Sequence, residues 1–359
     1  MPYNEAMILR THRRSVALGL VLVLAVATAA CRPAPSATRL GIFIPNVGNG
    51  HVASATDIVT EAGKLGVHVV RVGEASITDP TPNPRLATFA RAGLDVVMTV
   101  RNNPTIDANG NSVTAPIRTD AELATYRMQL GALLDRYRPK LLMIENEELD
   151  DNYFSGTPEE YLRQLNTAIE VAHTHGVEVT DGGITTRALS LLVWGDYHDR
   201  HLDAQAADFA RRAFDRPGDA SVRNDLLRVP FQGLRNVALA QKWDDAKRLV
   251  PGEAASGLDY VDFHWYGDDP GALRESIDYL KRVTGKPIVT TEIGQWDSGA
   301  EVNARQVTSE LGVLTDEQLP YALWFDNDGD PAVGLHNDDW SLRDSGNAFA
   351  AFTAAHPQH

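Results

Sequence analysis

Two glutamates lie where a carboxylate could take part in catalysis. Glu147 ends the apolar run that begins at residue 141, and Glu292 ends the run that begins at residue 287. Short apolar runs are typical of buried parallel strands, and a carboxylate is costly to bury there without a partner. Asn146 directly precedes the first glutamate. Two carboxylates at the ends of separate strands could supply the acid and the nucleophile or base that glycoside hydrolysis requires.

Eight strand-like runs alternate with helix-like stretches from residue 40 onward. Several helix-like stretches end in a glycine just before the next strand, which is a common stop signal of a helix. Thr157, followed by Pro158 and two acids, predicts a helix start. The stop glycines are Gly66, Gly93, Gly176 and Gly285. The predicted strands are 40–45, 67–72, 95–100, 141–144, 178–181, 260–264, 287–291 and 321–325.

Eight strand–helix repeats predict an α/β protein with the (β/α)8 TIM barrel fold. An open, doubly wound sheet is the structural alternative. We favour the barrel because the count is eight and because the glycine-rich stretch 46–51 lacks the spacing of a dinucleotide-binding loop. The long segment 186–259 between strands five and six predicts a helical insertion, which could act as a lid or only pack against the barrel.

The carboxyl ends of the predicted strands carry many polar and aromatic residues. Catalytic groups of a (β/α)8 barrel lie at these ends. The set comprises Arg71, Asn102, Asn146, Glu147, Asp181, His264, Tyr266, Glu292 and Trp324, with Trp296 shortly after strand seven. Glu145 and Glu148 flank the first catalytic candidate, and we expect them to face away from the cleft or to lie at its rim. A one-residue error in register would exchange these faces.

The order of these residues resembles that of the clan A (β/α)8 retaining glycoside hydrolases, which include cellulase-type, β-xylosidase-type and arabinofuranosidase-type families. The resemblance rests on Asn146-Glu147 ending strand four and Glu292 ending strand seven, and it covers residues from about 40 to 355. Further matching residues are His264 and Tyr266 on strand six, Trp324 on strand eight and Arg71 on strand two.

Two positions depart from the pattern of the cellulase-type members. Histidine is usual near the end of strand three, where this chain has Arg101 and Asn102. Proline often follows the acid, where this chain has Glu148. The exact family, and with it the sugar, the linkage and the choice between endo and exo action, therefore stays open.

The resemblance implies a role for each residue of the set. Glu147 would act as general acid and then as general base, and Glu292 as the nucleophile that forms a glycosyl-enzyme intermediate. Asn146 would hydrogen-bond the 2-hydroxyl of the substrate. His264 and Tyr266 would position the nucleophile, and Arg71 would keep it ionised. The residues that would contact the sugar are Asn102, Trp296 and Trp324. Trp324 in particular would provide a flat surface on which a sugar ring stacks.

The implied protein is a retaining glycosidase that cleaves β-linked glycans, and we expect no cofactor and no metal ion. A non-catalytic carbohydrate-binding lipoprotein on the same barrel is the alternative, although a pure binder has no need to keep both glutamates with Asn146. A barrel lyase or metal-dependent hydrolase would need a phosphate site or clustered histidines, and the sequence contains neither pattern. Residues 326–330 resemble a calcium loop, but their glycine is fourth rather than sixth, so we predict a polar turn.

The amino terminus predicts export from the cytoplasm. Arginines at 10, 13 and 14 precede the mostly apolar stretch 15–30, and the only cysteine, Cys31, follows small residues. This pattern indicates a signal peptide over 1–30. It also resembles a bacterial lipoprotein signal, in which Cys31 would be lipidated after cleavage. An ordinary signal peptide with an incidental cysteine is the alternative.

The expected mature protein is an anchored, acidic domain. Residues 31–39 would form a tether and residues 40–359 a single domain, held by lipid at the cell surface or in the periplasm, or otherwise secreted. The net charge of −15 opposes binding to nucleic-acid phosphates and to anionic membrane surfaces. We therefore expect a monomer with a neutral carbohydrate partner, which contacts a membrane only through lipid at Cys31.

Overall fold

The computed structural model of the chain describes residues 38–45, 54–78, 83–295, 304–326 and 334–357. The predicted signal peptide, Cys31 and all but the last two residues of the predicted tether lie outside these ranges. Trp296, one of the predicted sugar-contacting residues, also lies outside the described residues.

Within the described ranges, eight parallel strands form one sheet and two short strands form a separate antiparallel hairpin. In chain order the strands are β1 (Arg39–Phe43), β2 (Val69–Ser76), β3 (Asp95–Arg101), β4 (Thr105–Ile106), β5 (Ser112–Val113), β6 (Leu141–Ile144), β7 (Glu178–Thr180), β8 (Val261–Trp265), β9 (Ile288–Ile293) and β10 (Tyr321–Phe325). The hairpin is β4–β5, and the order in the large sheet is β7-β6-β3-β2-β1-β10-β9-β8.

The end strands of this sheet are β7 and β8, and hydrogen bonds between β8 and the residues that follow β7 close the ring. Ile184 N donates to Asp262 O at 3.2 Å, and His264 N donates to Ile184 O at 2.9 Å. A parallel bridge links Ile184 to Phe263. The predicted (β/α)8 barrel is confirmed, with a barrel strand at each of the eight predicted positions.

Helices surround the barrel. Those in the described part of the chain are α1 (Ala55–Leu65), α2 (Pro84–Arg91), α3 (Asp120–Tyr137), α4 (Pro158–Thr174), α5 (Thr186–Asp199), α6 (Asp203–Ala213), α7 (Ala220–Leu226), α8 (Val237–Ala255), α9 (Pro270–Thr284), α10 (Ala304–Asp316) and α11 (Asp344–Ala355). None of them is both long enough and apolar enough to cross a membrane.

Local sequence signals account for the helix ends. The Thr157 hydroxyl accepts a hydrogen bond from Glu160 N and so caps α4, and the Glu160 side chain accepts one from Thr157 N. Gly66 and Gly285, at φ 68° and 65°, end α1 and α9 in the left-handed conformation that glycine adopts without strain. These observations match the predicted start and stop signals.

The stretch between β7 and β8 contains four α-helices, α5 to α8, and a short 3-10 helix over Pro217–Asp219. The longest of these, α8, packs against α4, α5 and α9. The segment is therefore part of the helical layer around the barrel, and its first helix, α5, also contacts β8.

The barrel interior changes from apolar to polar along the strands. Its apolar cluster consists of Val69, Val97, Leu141, Val289, Tyr321 and Leu323. Two residues further along their strands, Arg71, Thr99 and Thr291 are fully buried polar groups. Gly41 lies so close to β2 that an added methyl group would be 2.5 Å from Val69 O. The apolar cluster therefore lies beneath a polar layer, and the residues at the strand ends lie above that layer.

Candidate active site

Glu292 lies on β9 and is held by two donors. Arg71 Nη1 donates to Glu292 Oε2 at 2.8 Å, and the Tyr266 hydroxyl donates to Glu292 Oε1. The Arg71 guanidinium also lies over the Phe43 ring, 4.1 Å from its centre. Both oxygens of the carboxylate are thus hydrogen-bonded to groups that favour its charged form.

Glu147 follows β6 in an unusual backbone conformation. Its φ is 44°, and that of Glu145 is 63°, both in the left-handed region. Non-glycine residues held there cost about 1–3 kcal/mol each and are concentrated at functional sites. Glu147 N donates to Gly182 O at 2.7 Å, which fixes the segment to the residues that follow β7.

His264, which is fully buried, connects the two glutamates. Its Nδ1 is 3.0 Å from Glu147 Oε1 and 3.8 Å from Glu292 Oε2. One oxygen of each glutamate and the His264 nitrogen all lie within 4.8 Å of one another. The nearest oxygens of the two carboxylates are therefore within 4.8 Å of each other, with the His264 imidazole beside both.

The two carboxyls have opposite pKa shifts. Burial chiefly raises the pKa of Glu147, with a contribution from the negative charge of Glu292, although His264 opposes both. Burial would also raise the pKa of Glu292, but the positive charges of His264 and Arg71 and the hydrogen bond from Tyr266 hold it below its usual value. The surroundings therefore favour the protonated form of Glu147 and the anionic form of Glu292.

The pKa of His264 reflects the same group of charges. Burial by itself would lower it, but the facing carboxylates of Glu292, Glu147 and Asp262 raise it above the usual value. The pKa of Tyr266 is raised well above its usual value by burial and by Glu292, so its hydroxyl keeps its proton and remains a donor.

Asn146 is positioned by the arginine that binds the nucleophile candidate. Arg71 Nη2 donates to Asn146 Oδ1 at 2.6 Å, and Arg71 Nε donates to Thr99 Oγ1 at 3.0 Å. The same side chain therefore links β2 to β3, to β9 and to the residues that follow β6. The structure brings together six of the predicted residues: Asn146, Glu147, Glu292, Arg71, His264 and Tyr266.

Asp262 and Thr291, in the polar layer beneath these residues, were not predicted. Asp262 Oδ1 accepts from Thr291 N at 2.9 Å, and its Oδ2 lies 4.0 Å from His264 Nε2. A sequence signal for this layer exists, because Asp262, His264 and Tyr266 alternate along one strand and its extension and so share a face. Asp262 supports the histidine from below.

The prediction that Trp324 stacks on a sugar is wrong. Its side chain is 1% exposed and packs edge-on against Phe349 of α11, with ring centres 6.3 Å apart. Side chains alternate along a strand, so the next residue, Phe325, takes the inner face. Phe325 lies 5.9 Å from Tyr266 and 5.4 Å from Phe43 between ring centres, and it is the aromatic residue of β10 beside the catalytic candidates.

Glu145 and Glu148 are buried and do not join the catalytic group. Glu145 lies 3.6 Å from Arg101 and accepts from Gln164 Nε2 at 2.6 Å, and burial raises its pKa. Glu148 packs against Gly182, where an added methyl would lie 2.5 Å from its Oε2. Burial raises the pKa of Glu148 to about 7. The expectation that Glu145 and Glu148 face away matches these contacts.

Asn102 lies in a different environment from the one predicted. Its backbone N–H donates to Glu145 Oε1 at 2.8 Å, and the residue lines a cavity together with Thr78 and Ile117. That cavity does not include either catalytic candidate. The substrate-contacting role of Asn102 stays a prediction.

A groove of about 360 Å³ opens beside Glu147 and Tyr266. Its other wall comes from the helical segment between β7 and β8. The residues that segment contributes include Thr186 and Arg187 from α5, Phe214 after α6, and Leu239 and Lys242 from α8. Lys242 forms an ion pair with Asp150, also in the groove, at 3.3 Å. The segment thus shapes the space next to the acid candidate.

Two groups of described residues have the composition and spacing to hold a metal ion. One is Glu147, His264 and Glu292, where Arg71 and Tyr266 already occupy both oxygens of Glu292. The other is Glu61, Asp326 and His336, which share no residue with the catalytic group.

Comparisons with known proteins identify the fold but no family. No protein-family model matches the sequence, and no curated protein matches it. Among solved structures, the endo-1,4-β-D-mannanase of Thermotoga petrophila RKU-1 is 12% identical, with a TM-score of 0.52 over 89% of this chain and 99% of that chain. Fpglu1 of Fervidobacterium pennivoraus is 11% identical, with a TM-score of 0.54 over 89% and 96%.

A third structure, that of the β-glycosidase BGL167, is 13% identical with a TM-score of 0.52, and the match covers 84% of this chain and 85% of that chain. Identities this low show a common fold. The predicted likeness in fold to the (β/α)8 glycoside hydrolases is therefore confirmed.

Proposed function

We propose that the protein is a retaining glycoside hydrolase that cleaves β-linked oligo- or polysaccharides. The proposal rests on two neighbouring carboxyls, both of which lie close to His264 Nδ1. The pKa of Glu147 is raised and that of Glu292 is lowered. Support for a β-linked substrate also comes from two proteins of the same fold that are named a β-mannanase and a β-glycosidase.

In the first step, Glu292 Oε attacks the anomeric carbon while Glu147 donates its proton to the departing glycosidic oxygen. The bond from the anomeric carbon to the leaving oxygen breaks, and an ester bond to Glu292 forms. Glu147 is then an anion. The Arg71 and Tyr266 hydrogen bonds hold Glu292 in one orientation before the attack.

In the second step, Glu147 removes a proton from a water molecule, whose oxygen attacks the anomeric carbon and releases Glu292. Two inversions give net retention of configuration. Since Asn146 Oδ1 accepts from Arg71, its amide nitrogen is the atom that would donate to the substrate 2-hydroxyl.

We also propose that the chain is exported and lipidated at Cys31, on the strength of the basic, apolar and small-residue pattern before that cysteine. Expressed in a bacterial host, the wild type should partition into a detergent phase, and Cys31→Ser should move to the aqueous phase. Equal partitioning of the two forms would contradict lipidation.

The proposed activity is tested by screening the purified domain against β-linked polysaccharides and aryl β-glycosides, followed by NMR of the first product from the best substrate. The β-anomer should appear first and mutarotate later. First appearance of the α-anomer would exclude retention. Tight sugar binding without turnover by any substrate would favour the non-catalytic binding protein instead.

A further inference from the structure

A second cluster of ionisable side chains lies away from the catalytic group. Glu61 is on α1, Asp326 directly follows β10, and His336 precedes α11. Each is at most 1% exposed. One ligand atom from each lies within 4.8 Å of the others. We propose that these three residues bind one divalent transition-metal cation, with zinc as the best match.

The donor set fits that class of ion. One imidazole nitrogen and two carboxylate oxygens are ligands that zinc accepts, whereas calcium and magnesium prefer oxygen alone. Tetrahedral zinc with bonds of about 2.1 Å separates its ligands by about 3.4 Å. Here His336 Nδ1 is hydrogen-bonded to Asp326 Oδ2 at 2.8 Å and lies 4.0 Å from Glu61 Oε1. A bound ion would replace that hydrogen bond, and small side-chain shifts would give the three ligand atoms the required spacing.

The burial and the hydrogen bonding of Glu61 independently indicate that a cation binds here. Its side chain is completely buried, and neither of its oxygens accepts a hydrogen bond. Lys64 Nζ lies 3.7 Å from Oε2, which is too far for a hydrogen bond, while Oε1 faces His336. A buried carboxylate without such bonds is destabilising, and a cation at Oε1 would satisfy it.

The surrounding contacts hold the other two ligands in place. Asp326 uses its second oxygen, Oδ1, to accept from Leu335 N at 2.6 Å. The His336 ring stacks on Trp340 with centres 4.2 Å apart and planes 9° apart. Partners of this kind orient metal ligands and strengthen binding.

The site would stabilise the barrel mouth rather than take part in catalysis. Asp326 follows Phe325, which lines the active-site mouth, and Asp326 N donates to Phe43 O at 2.9 Å. A bound ion would join α1 to the end of β10 and to the segment before α11. This role is independent of the proposed glycosidase activity.

Zinc titration of the chelator-treated mature protein tests the proposal by calorimetry. The wild type should bind one Zn²⁺ per chain and show a higher Tm with zinc. Glu61→Gln and His336→Gln should weaken binding by at least the roughly 100-fold that loss of an outer-shell partner can cause. Glu310→Gln, which removes a buried carboxylate on α10, should bind as the wild type does. Unchanged zinc affinity in Glu61→Gln would overturn the proposal.

Anomalous diffraction at the zinc edge provides a test that needs no variant. Crystals of the wild type soaked in zinc should show a peak in contact with Glu61, Asp326 and His336. A peak only between Glu147 and Glu292, or none, would overturn the assignment. Both readouts are metal binding, so they hold whether or not the protein hydrolyses glycosides.

Discussion

Arg71 Nη1 lies 2.8 Å from Glu292 Oε2. The pair is almost completely buried, and the arginine crosses the barrel from β2 to reach β9. Removing one member of a buried ion pair leaves the other charge uncompensated. The charge state of Glu292 therefore depends on Arg71, and that dependence can be measured.

Arg71→Met should raise the pKa of Glu292, because a neighbouring cation that favours the carboxylate is lost. A nucleophile must be ionised, so the acidic limb of kcat/KM against pH should move to higher pH, by about 1 unit or more. The profile is measured with an aryl β-glycoside. Arg101→Met, which removes the buried arginine beside Glu145, serves as the control and should leave that limb in place. An unmoved limb in Arg71→Met would contradict the role of Arg71.

Glu147→Gln should slow the cleavage of unactivated glycosides by about 10²–10⁴-fold, because the leaving oxygen loses its proton donor. The leaving group of a dinitrophenyl glycoside needs little protonation, so the rate of the glycosylation step should fall far less with these substrates. Comparison of the two substrates in pre-steady-state kinetics measures the difference. Glu148→Gln is the matched control at the neighbouring position, and it should change the cleavage rates of both substrates by the same factor. Equal losses in Glu147→Gln would mean that Glu147 is not the acid.

Glu148→Gln should also change how stability depends on pH. The pKa of Glu148 is raised from 4.5 to about 7, so the folded chain keeps a proton that the unfolded chain loses between these values. Stability from the neutral carboxyl is fully present below about pH 4.5 and is lost as the pH rises. Glutamine imitates the neutral form, so the Tm of the variant relative to the wild type should rise from about pH 5 to pH 8.

The control for this stability series is Glu170→Gln, which removes an exposed carboxylate on α4. It should not show the same upward trend in relative Tm. A relative Tm of Glu148→Gln that stays constant or falls with pH would show that the buried carboxyl is not the source of the effect.

Phe325 and Trp324 are adjacent residues with opposite environments, and their variants should separate binding from stability. Phe325→Ala should raise KM, because an aromatic surface beside Tyr266 is lost, with a small change in Tm. Trp324→Ala should lower the free energy of unfolding by about 3–5 kcal/mol, as expected for a large buried side chain, with little change in KM. The reverse pattern would restore Trp324 to the sugar-binding surface.

Local signals in the sequence were sufficient to predict the barrel and the six residues that the structure brings together at its mouth. Buried strands with glycine stops appear as contiguous patterns, and Glu147 and Glu292 end two of them. The face on which Trp324 lies could not be predicted, because an uninterrupted apolar strand such as β10 lacks the alternation that distinguishes its two faces.

The remaining features depend on contacts between distant parts of the chain. The hairpin β4–β5 is too short to leave a strand pattern. The cluster of Glu61, Asp326 and His336 joins α1 to the other end of the chain, and none of the three is in a local metal motif. Of the stretch 326–330, for which the sequence predicted a polar turn, only Asp326 lies within the described residues. The zinc experiments test the expectation that the protein binds no metal ion.

The identity of the nucleophile is tested most directly by azide rescue. Supplied with an activated aryl β-glycoside and azide, Glu292→Ala should yield the α-glycosyl azide, since azide attacks from the face that the carboxylate vacates. Glu147→Ala should yield the β-glycosyl azide through the glycosyl-enzyme intermediate. NMR of the two products gives their configurations. A β-azide from Glu292→Ala, or full hydrolytic activity in that variant, would contradict the assignment of Glu292 as the nucleophile.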